Sequence, residues 1–290
     1  MRDQAENLRM KMLESQGVLG RSIAIVSGKG GVGKSNFSTN FAINLSKLGK
    51  KVVVLDMDIG MGNVNILIGK TAQYNLKHYL FGEATLEQVM YEGPHELKYI
   101  SGGSGMSSVM EWSKDMVEAL FSAFEQLQKS FDYILFDMGA GATNWSLDLI
   151  NSIDEIIVIT TEEPTAITDA YSMMKYIHVR DPEKTVYLLC NRAYSKEEGQ
   201  ETLNRLDSTM KQFLKKEVII LGSLPEDPVV RKSVREQVPF SIAYPESHIS
   251  KTLKEMVQQF VDRNQVEVHG YNKKNTFLSK LRGIFSKGSD

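Results

Sequence analysis

An α/β domain with a mostly parallel sheet and helices on both faces is the fold this sequence predicts, and three observations predict it. Continuous apolar runs such as Val52-Val53-Val54-Leu55 and Ile156-Ile157-Val158-Ile159 alternate with longer helical stretches. Strands without polar alternation are buried on both faces, as in a parallel sheet. The first apolar run leads directly into a glycine-rich loop and then a helical pattern. Acidic residues follow two later strands, at the carboxyl ends where ligands gather in such sheets. No internal repeat or low-complexity linker divides the 290 residues. One domain is therefore expected at 21–270, with separate segments at 1–20 and 271–290.

Composition narrows the function classes. Thirty-four basic and 36 acidic residues leave a net charge of −2. The bulk protein has no general attraction to nucleic acid or anionic lipid, so any such affinity must be local. The single cysteine, Cys190, forms no internal disulfide and cannot alone hold zinc or an iron–sulfur cluster. It lies in an apolar run, where it reads as a small core residue. No apolar run reaches the length of a membrane span and the start is no signal peptide, so a cytoplasmic chain is expected.

In the first segment, Asp3-Gln4-Ala5-Glu6 has the spacing of a capping box. Ala5, Leu8 and Met12 then share one helical face, with Arg2, Arg9 and Lys11 around it. Two readings stay open: a helix or frayed end of its own domain, and a short helix offered to a partner's groove.

The first strand, Ile23-Ala24-Ile25-Val26, precedes Gly28-Lys29-Gly30-Gly31-Val32-Gly33-Lys34-Ser35, and the helical pattern Asn36 to Leu48 follows. Gly28, four residues and then Gly33-Lys34-Ser35 match the P-loop template. Glycine lets backbone N–H groups approach phosphates that a Cβ would block, and the helix dipole points at the same anion. Lys34 supplies charge to the β- and γ-phosphates, and Ser35 supplies an oxygen to Mg²⁺. Lys29 is not needed for that cradle. It is either a solvated lysine or a charge that reaches a nucleotide on another subunit.

Strand 51–55 runs into Asp56-Met57-Asp58-Ile59-Gly60-Met61-Gly62-Asn63. Asp58 is placed to orient or deprotonate an attacking water; Asp56 supports either the loop or the Mg²⁺ shell. Mixed helix at 74–90 and an amphipathic helix at 116–128 lead to strand 131–136 and Asp137-Met138-Gly139-Ala140-Gly141. An acid at a strand end contacts Mg²⁺ through water, and Gly139 lets the backbone swing toward a γ-phosphate. Strands 155–160, 185–190 and 218–221 alternate with helices 165–179, 196–215 and 246–261. Asn191-Arg192 follows the second of these strands; the asparagine suits either a base edge or a helix cap. Leu224-Pro225-Glu226-Asp227 follows the third and is expected on the other side of the base pocket.

The last 18 residues carry five cations, Lys273, Lys274, Lys280, Arg282 and Lys287, against one acid, Asp290. Phe277, Leu278, Leu281, Ile284 and Phe285 share one helical face. A basic amphipathic helix of this kind lies in a membrane interface, or else docks on its own core. A short helix is marginal in water, with about 1.5–3 kcal/mol per buried apolar side chain and about 1 kcal/mol per cation on anionic lipid. One tail binds weakly, and two on a dimer bind with avidity.

Gly28-Lys29-Gly30-Gly31-Val32-Gly33-Lys34-Ser35 resembles the deviant P-loop of the MinD/ParA ATPases. That resemblance, running from about Ile23 to Phe260, implies an ATP/ADP site over Gly28 to Asn36 with Ser35, Asp58 and Asp137 around Mg²⁺. It implies catalytic roles for Lys34, for Asp58 in switch I and for Lys29 across a homodimer interface. Asp137 to Gly141 matches the D-x-x-x-G of switch II, and the Asn191-Arg192 pair is similar to one that contacts adenine beside Pro225, Glu226 and Asp227. Asp3-Gln4-Ala5-Glu6-Asn7-Leu8-Arg9 resembles the D-Q-A-x-x-L-R signature of the FlhG family of flagellar-number ATPases. There the segment activates FlhF, a signal-recognition-particle-type GTPase, and flagellar switch-ring proteins are further partners. The tail resembles the membrane-targeting helix of MinD and FlhG, which implies a peripheral place on the inner face of the membrane. Two rivals share the core. A MinD-type division regulator generally lacks the 20 residues before the first strand. A ParA-like DNA partition protein needs a basic surface that the net charge does not favour. A small-molecule kinase is a third reading, in which Lys29 is idle.

Overall fold

The computed structural model describes residues 19–58, 62, 64–102, 113–141, 144–267, 277, 280 and 281. The capping-box segment, including Asp3, Gln4, Ala5, Leu8 and Arg9, lies outside these, as do Leu278, Ile284 and Phe285. The elements run β1 (Arg21–Val26), α1 (Lys34–Lys47), β2 (Val52–Met57), α2 (Val64–Leu67), α3 (Leu76–Leu80), α4 (Leu86–Val89), β3 (Met90–Glu92) and β4 (Lys98–Ile100). They continue α5 (Lys114–Ser130), β5 (Tyr133–Met138), α6 (Asn144–Ser152), β6 (Glu155–Thr160), α7 (Pro164–Arg180), β7 (Thr185–Ala193), α8 (Lys196–Leu214) and β8 (Ile219–Pro225). The helices α9 (Pro228–Glu236), α10 (Phe240–Ala243) and α11 (His248–Glu267) follow.

Among the described residues, eight strands form one sheet in the order β3-β4-β2-β5-β1-β6-β7-β8. Only β3 runs antiparallel, paired with β4 through Met90↔Ile100 and Glu92↔Lys98. Alternate side chains of each strand enter opposite layers. Val53, Leu55, Ile134, Phe136, Ile156 and Val158 face a layer covered by α3 to α8. Val52, Val54, Leu135, Ile157, Ile159 and Leu189 face α1, α10 and α11. On that side Phe260 of α11 meets Phe41, Tyr133 and Tyr187 at ring distances of 5.3, 6.3 and 5.3 Å. The alternation also places Asp56 and Asp137, Cα partners across β2 and β5, on the α1 side at the carboxyl edge.

Two residues of the tail's apolar stripe, Phe277 and Leu281, are found against the sheet, not in solvent. Phe277 and Leu281 are fully buried in the layer beneath α3 to α8. The Phe277 ring lies 5.3 Å from Phe124 of α5 and 5.7 Å from Phe136 of β5. Between them Lys280 donates to Asp181 at 3.0 Å, just after α7. So the expected separate segment at 271–290 shares the main core through these residues. Beside it, the Lys184 ammonium is buried and donates to the carbonyls of Asn151 and Ile153, both at 2.6 Å. Burial and the Lys280 charge lower its pKa to about 8.

Candidate nucleotide-binding site

Gly33 precedes α1 with φ +89°, a left-handed conformation that costs any other residue. A Cβ there would lie 2.4 Å from the Asn191 side-chain nitrogen. That nitrogen donates to the Val32 carbonyl at 2.8 Å. Asn191 thus ties the end of β7 to the loop from Gly28 to Ser35, and a base could meet it only beside that bond. Gly31 also takes a positive φ, +81°, but in open space.

Asp137 is buried at the end of β5. Its Oδ1 accepts from the Ser38 hydroxyl at 3.0 Å, and its Oδ2 has no hydrogen-bond partner among the described residues. Burial pushes the Asp137 carboxyl up, while the Lys34 ammonium and the hydroxyls of Ser35 and Ser38 pull it down and the Asp58 charge raises it. A buried carboxylate oxygen without a partner, facing Lys34 and Ser35, fits the hydration shell of a divalent cation. Mg²⁺ is commonly held by one or two carboxylates plus substrate phosphates. An ideal Cβ on Gly139 would come within 3.5 Å of Asp58 Oδ1, so the two strand-end loops meet at these residues. The fold brings Lys34, Ser35, Asp58, Asp137 and Gly139 to one edge, beside the start of the helix that carries Asn36.

Lys29 is placed differently from Lys34. Lys34 is buried within the loop, whereas Lys29 is at the surface. Its ammonium donates to Glu163 at 2.8 Å and to the Thr165 hydroxyl at 3.0 Å, at the start of α7. That pairing holds the Glu163 carboxyl below the usual range. Arg192, at φ 58°, and Arg231 both donate to Glu226, at 2.8 and 2.9 Å. Asp227 caps α9 through the Val229 amide at 3.0 Å, so its carboxylate serves the helix. Pro225 ends β8 opposite Ala193. Sequence reasoning missed Ser38 and Glu163. Ser38 lies one turn beyond Lys34 and Ser35 on the same helix face, and Glu163 follows a strand end, as Asp58 and Asp137 do.

Among the described residues no helix is long and apolar enough to cross a membrane. The family described as ParA, NUBPL iron-transfer P-loop NTPase, matches residues 19–261. Burial of the lone Cys190 pushes its thiol pKa to about 12, so this chain offers no thiolate set for iron. Antiactivator FleN of Pseudomonas aeruginosa is 33% identical over 238 residues, 82% of this chain and 85% of FleN. Flagellum site-determining protein YlxH of Helicobacter pylori is 34% identical over 242 residues, 83% of this chain and 82% of YlxH. The septum site-determining protein MinD of Pyrococcus horikoshii, solved with Mg-ADP, superposes with a TM-score of 0.69 at 25% identity, covering 86% of this chain and 99% of MinD. With the loop, the strand-end acids and these likenesses together, the chain belongs to the ParA/MinD family of P-loop ATPases.

Proposed function

We propose that this chain is an ATP-driven switch that pairs with a second copy, associates with the membrane as a pair, and regulates the placement and number of flagella. The observation that carries it is the contrast between the two loop lysines: Lys34 buried toward Asp137, and Lys29 at the surface on Glu163 and Thr165. A lysine outside its own phosphate cradle is available to a nucleotide on a facing subunit. The likeness to FleN and YlxH supports the flagellar role.

ATP with Mg²⁺ supplies the scissile phosphoanhydride and the cation that neutralises its charge. This chain's residues bind and position. The glycine loop and Lys34 hold the phosphates, and Ser35 and Asp137 face the cation. Asp58 orients the attacking water and takes its proton. Lys29 leaves Glu163 to reach the partner's nucleotide. The tail leaves the slot at Phe124 and Phe136 to enter lipid, where Phe277, Leu278, Leu281, Ile284 and Phe285 insert and the flanking cations meet anionic headgroups. The segment bearing Asp3, Gln4, Ala5, Leu8 and Arg9 engages an FlhF-like GTPase, and switch-ring proteins are further partners.

The test is sedimentation of Asp58→Ala with ATP and Mg²⁺. A stable pair with little turnover is expected, and a single chain with normal hydrolysis refutes the assignment. Deleting residues 1–20 should leave ATP hydrolysis intact and remove stimulation of the partner GTPase; retained stimulation places that contact elsewhere.

A further inference from the structure

Asp56 and Asp137 sit side by side on neighbouring strands and face the same layer, yet their carboxylates are used differently. Asp137 Oδ2 is without a partner among the described residues. Asp56 is equally buried, but both of its oxygens accept backbone amides. Oδ1 takes the Asp58 N–H at 3.0 Å, two residues on, in the manner of an Asx turn. Oδ2 takes the Val64 N–H at 3.2 Å, at the first residue of α2. One carboxylate therefore ties both the entry and the exit of the loop that carries Asp58. The surroundings leave it little freedom. A Cβ on Gly62 would lie 2.9 Å from Asp56 Oδ2, and one on Gly102 would lie 2.3 Å from the Asp56 carbonyl oxygen.

We infer that Asp56 is a positioning residue for the ATPase reaction: it staples both ends of the 58–64 loop to the sheet and so holds the Asp58 backbone in place. It is not part of the metal shell. The inference rests on Asp58 being the acid that orients water. An anionic acceptor suits the task, because charge-assisted bonds to amides are stronger than neutral ones. With both ends pinned to β2, Asp58 stays in register with Gly139. Reacting groups displaced by about 1 Å can lose about a hundredfold in rate.

The test compares Asp56→Asn with the natural chain, full length, using ATP and Mg²⁺. In either orientation an asparagine turns its NH₂ toward one of the two amides, so one bond is lost and one N–H is left buried. The expected result is a fall in kcat of about 10- to 100-fold. KM for MgATP and the Mg²⁺ concentration for half-maximal rate should both stay within about twofold. In the nucleotide-free chain, amide hydrogen exchange in the peptide spanning 58–64 should accelerate. Val64→Pro deletes one donor and leaves the carboxylate intact, at a first helical position that accepts proline. It should lower kcat in the same direction, and it serves as the test if Asp56→Asn does not fold. An unchanged kcat overturns the inference. So does a kcat restored by raising Mg²⁺ about tenfold, which would place Asp56 in the metal shell. Asp58→Ala run in parallel separates the layers. If it is inactive while Asp56→Asn is normal, only this inference falls; if it turns over normally, the role of Asp58 falls with it.

Discussion

Replacing Phe124 with leucine tests the two positions proposed for the tail, because it alters the receiving slot and leaves every side chain proposed to enter lipid intact. The Phe124 ring lies 5.3 Å from Phe277, tilted by 43°, and 5.3 Å from Phe136, edge-on at 88°. An aromatic pair of this kind contributes about 0.5–1.5 kcal/mol beyond its buried area. Leucine keeps the position apolar, so the loss is mainly the pair with Phe277. That shifts the docked–free balance of the tail by about 2- to 12-fold. The described contacts that hold the tail are small enough in sum for this to matter. Burial of Phe277 and Leu281 contributes about 1.5–3 kcal/mol each, and the Lys280–Asp181 pair about 0.2–1 kcal/mol, before the cost of ordering the segment. The assay is flotation with anionic vesicles in ADP, with folding checked by circular dichroism. A vesicle affinity raised several-fold is expected without ATP. Affinity unchanged or lowered in a folded variant refutes competition between the slot and the membrane for one apolar stripe.

Three further outcomes are expected. Gly33→Ala meets both a left-handed φ and the 2.4 Å contact with Asn191; unfolding should cost about 1–2 kcal/mol less from the conformation alone, with nucleotide binding lost. Gly31→Ala, whose Cβ meets open space, should show the conformational part alone, and equal effects of the two on binding to a fluorescent ATP analogue would contradict the geometry. Lys29→Ala should weaken ATP-dependent pairing in ultracentrifugation while nucleotide binding persists; undiminished pairing removes the cross-subunit role. Lys184 gives a pH prediction. The unfolded chain keeps this proton up to about pH 10.5, whereas the folded chain releases it near 8. In that window the unfolded state binds more protons, so stability rises with pH, by at most about 3 kcal/mol. Lys280→Ala removes a neighbouring ammonium, so urea unfolding at pH 8 and 10 should show a smaller rise, and an identical rise would exclude the coupling.

Much of the fold was legible because its strands are local signals. Ile156 to Ile159 and Val52 to Leu55 are apolar throughout because both faces of the sheet are covered, and the long helices carry their own periodicity. The edge pair β3 and β4 went unseen. Each has three residues, too short for an apolar run to register. The helices α6 and α9 also escaped, being nine residues each and too short for a clear period. The loop from Gly28 to Ser35 and the acids Asp58 and Asp137 stand out in the sequence because phosphate and Mg²⁺ chemistry favours those residue types at strand ends, and the fold brings them to one edge. Asn191 is expected in a base pocket mainly from the family resemblance, and Asp227 from its place after the last strand. Their described contacts are to the Val32 carbonyl and to the start of α9, and nothing local in the sequence distinguishes these uses.

The sequence by itself determined six strands of the sheet, the phosphate loop, the strand-end acids and the existence of an amphipathic tail, since each follows from composition and spacing within a few residues. Tertiary structure alone decided where the charges and the stripe rest. Lys29 finds Glu163 134 residues away, Asp56 gathers the Asp58 and Val64 amides, and Phe277 fills a slot between Phe124 and Phe136. The physical reason is that periodicity specifies that an apolar face must be covered and a charge must be paired. Which surface covers the face, and which group pairs the charge, depends on how distant segments come together.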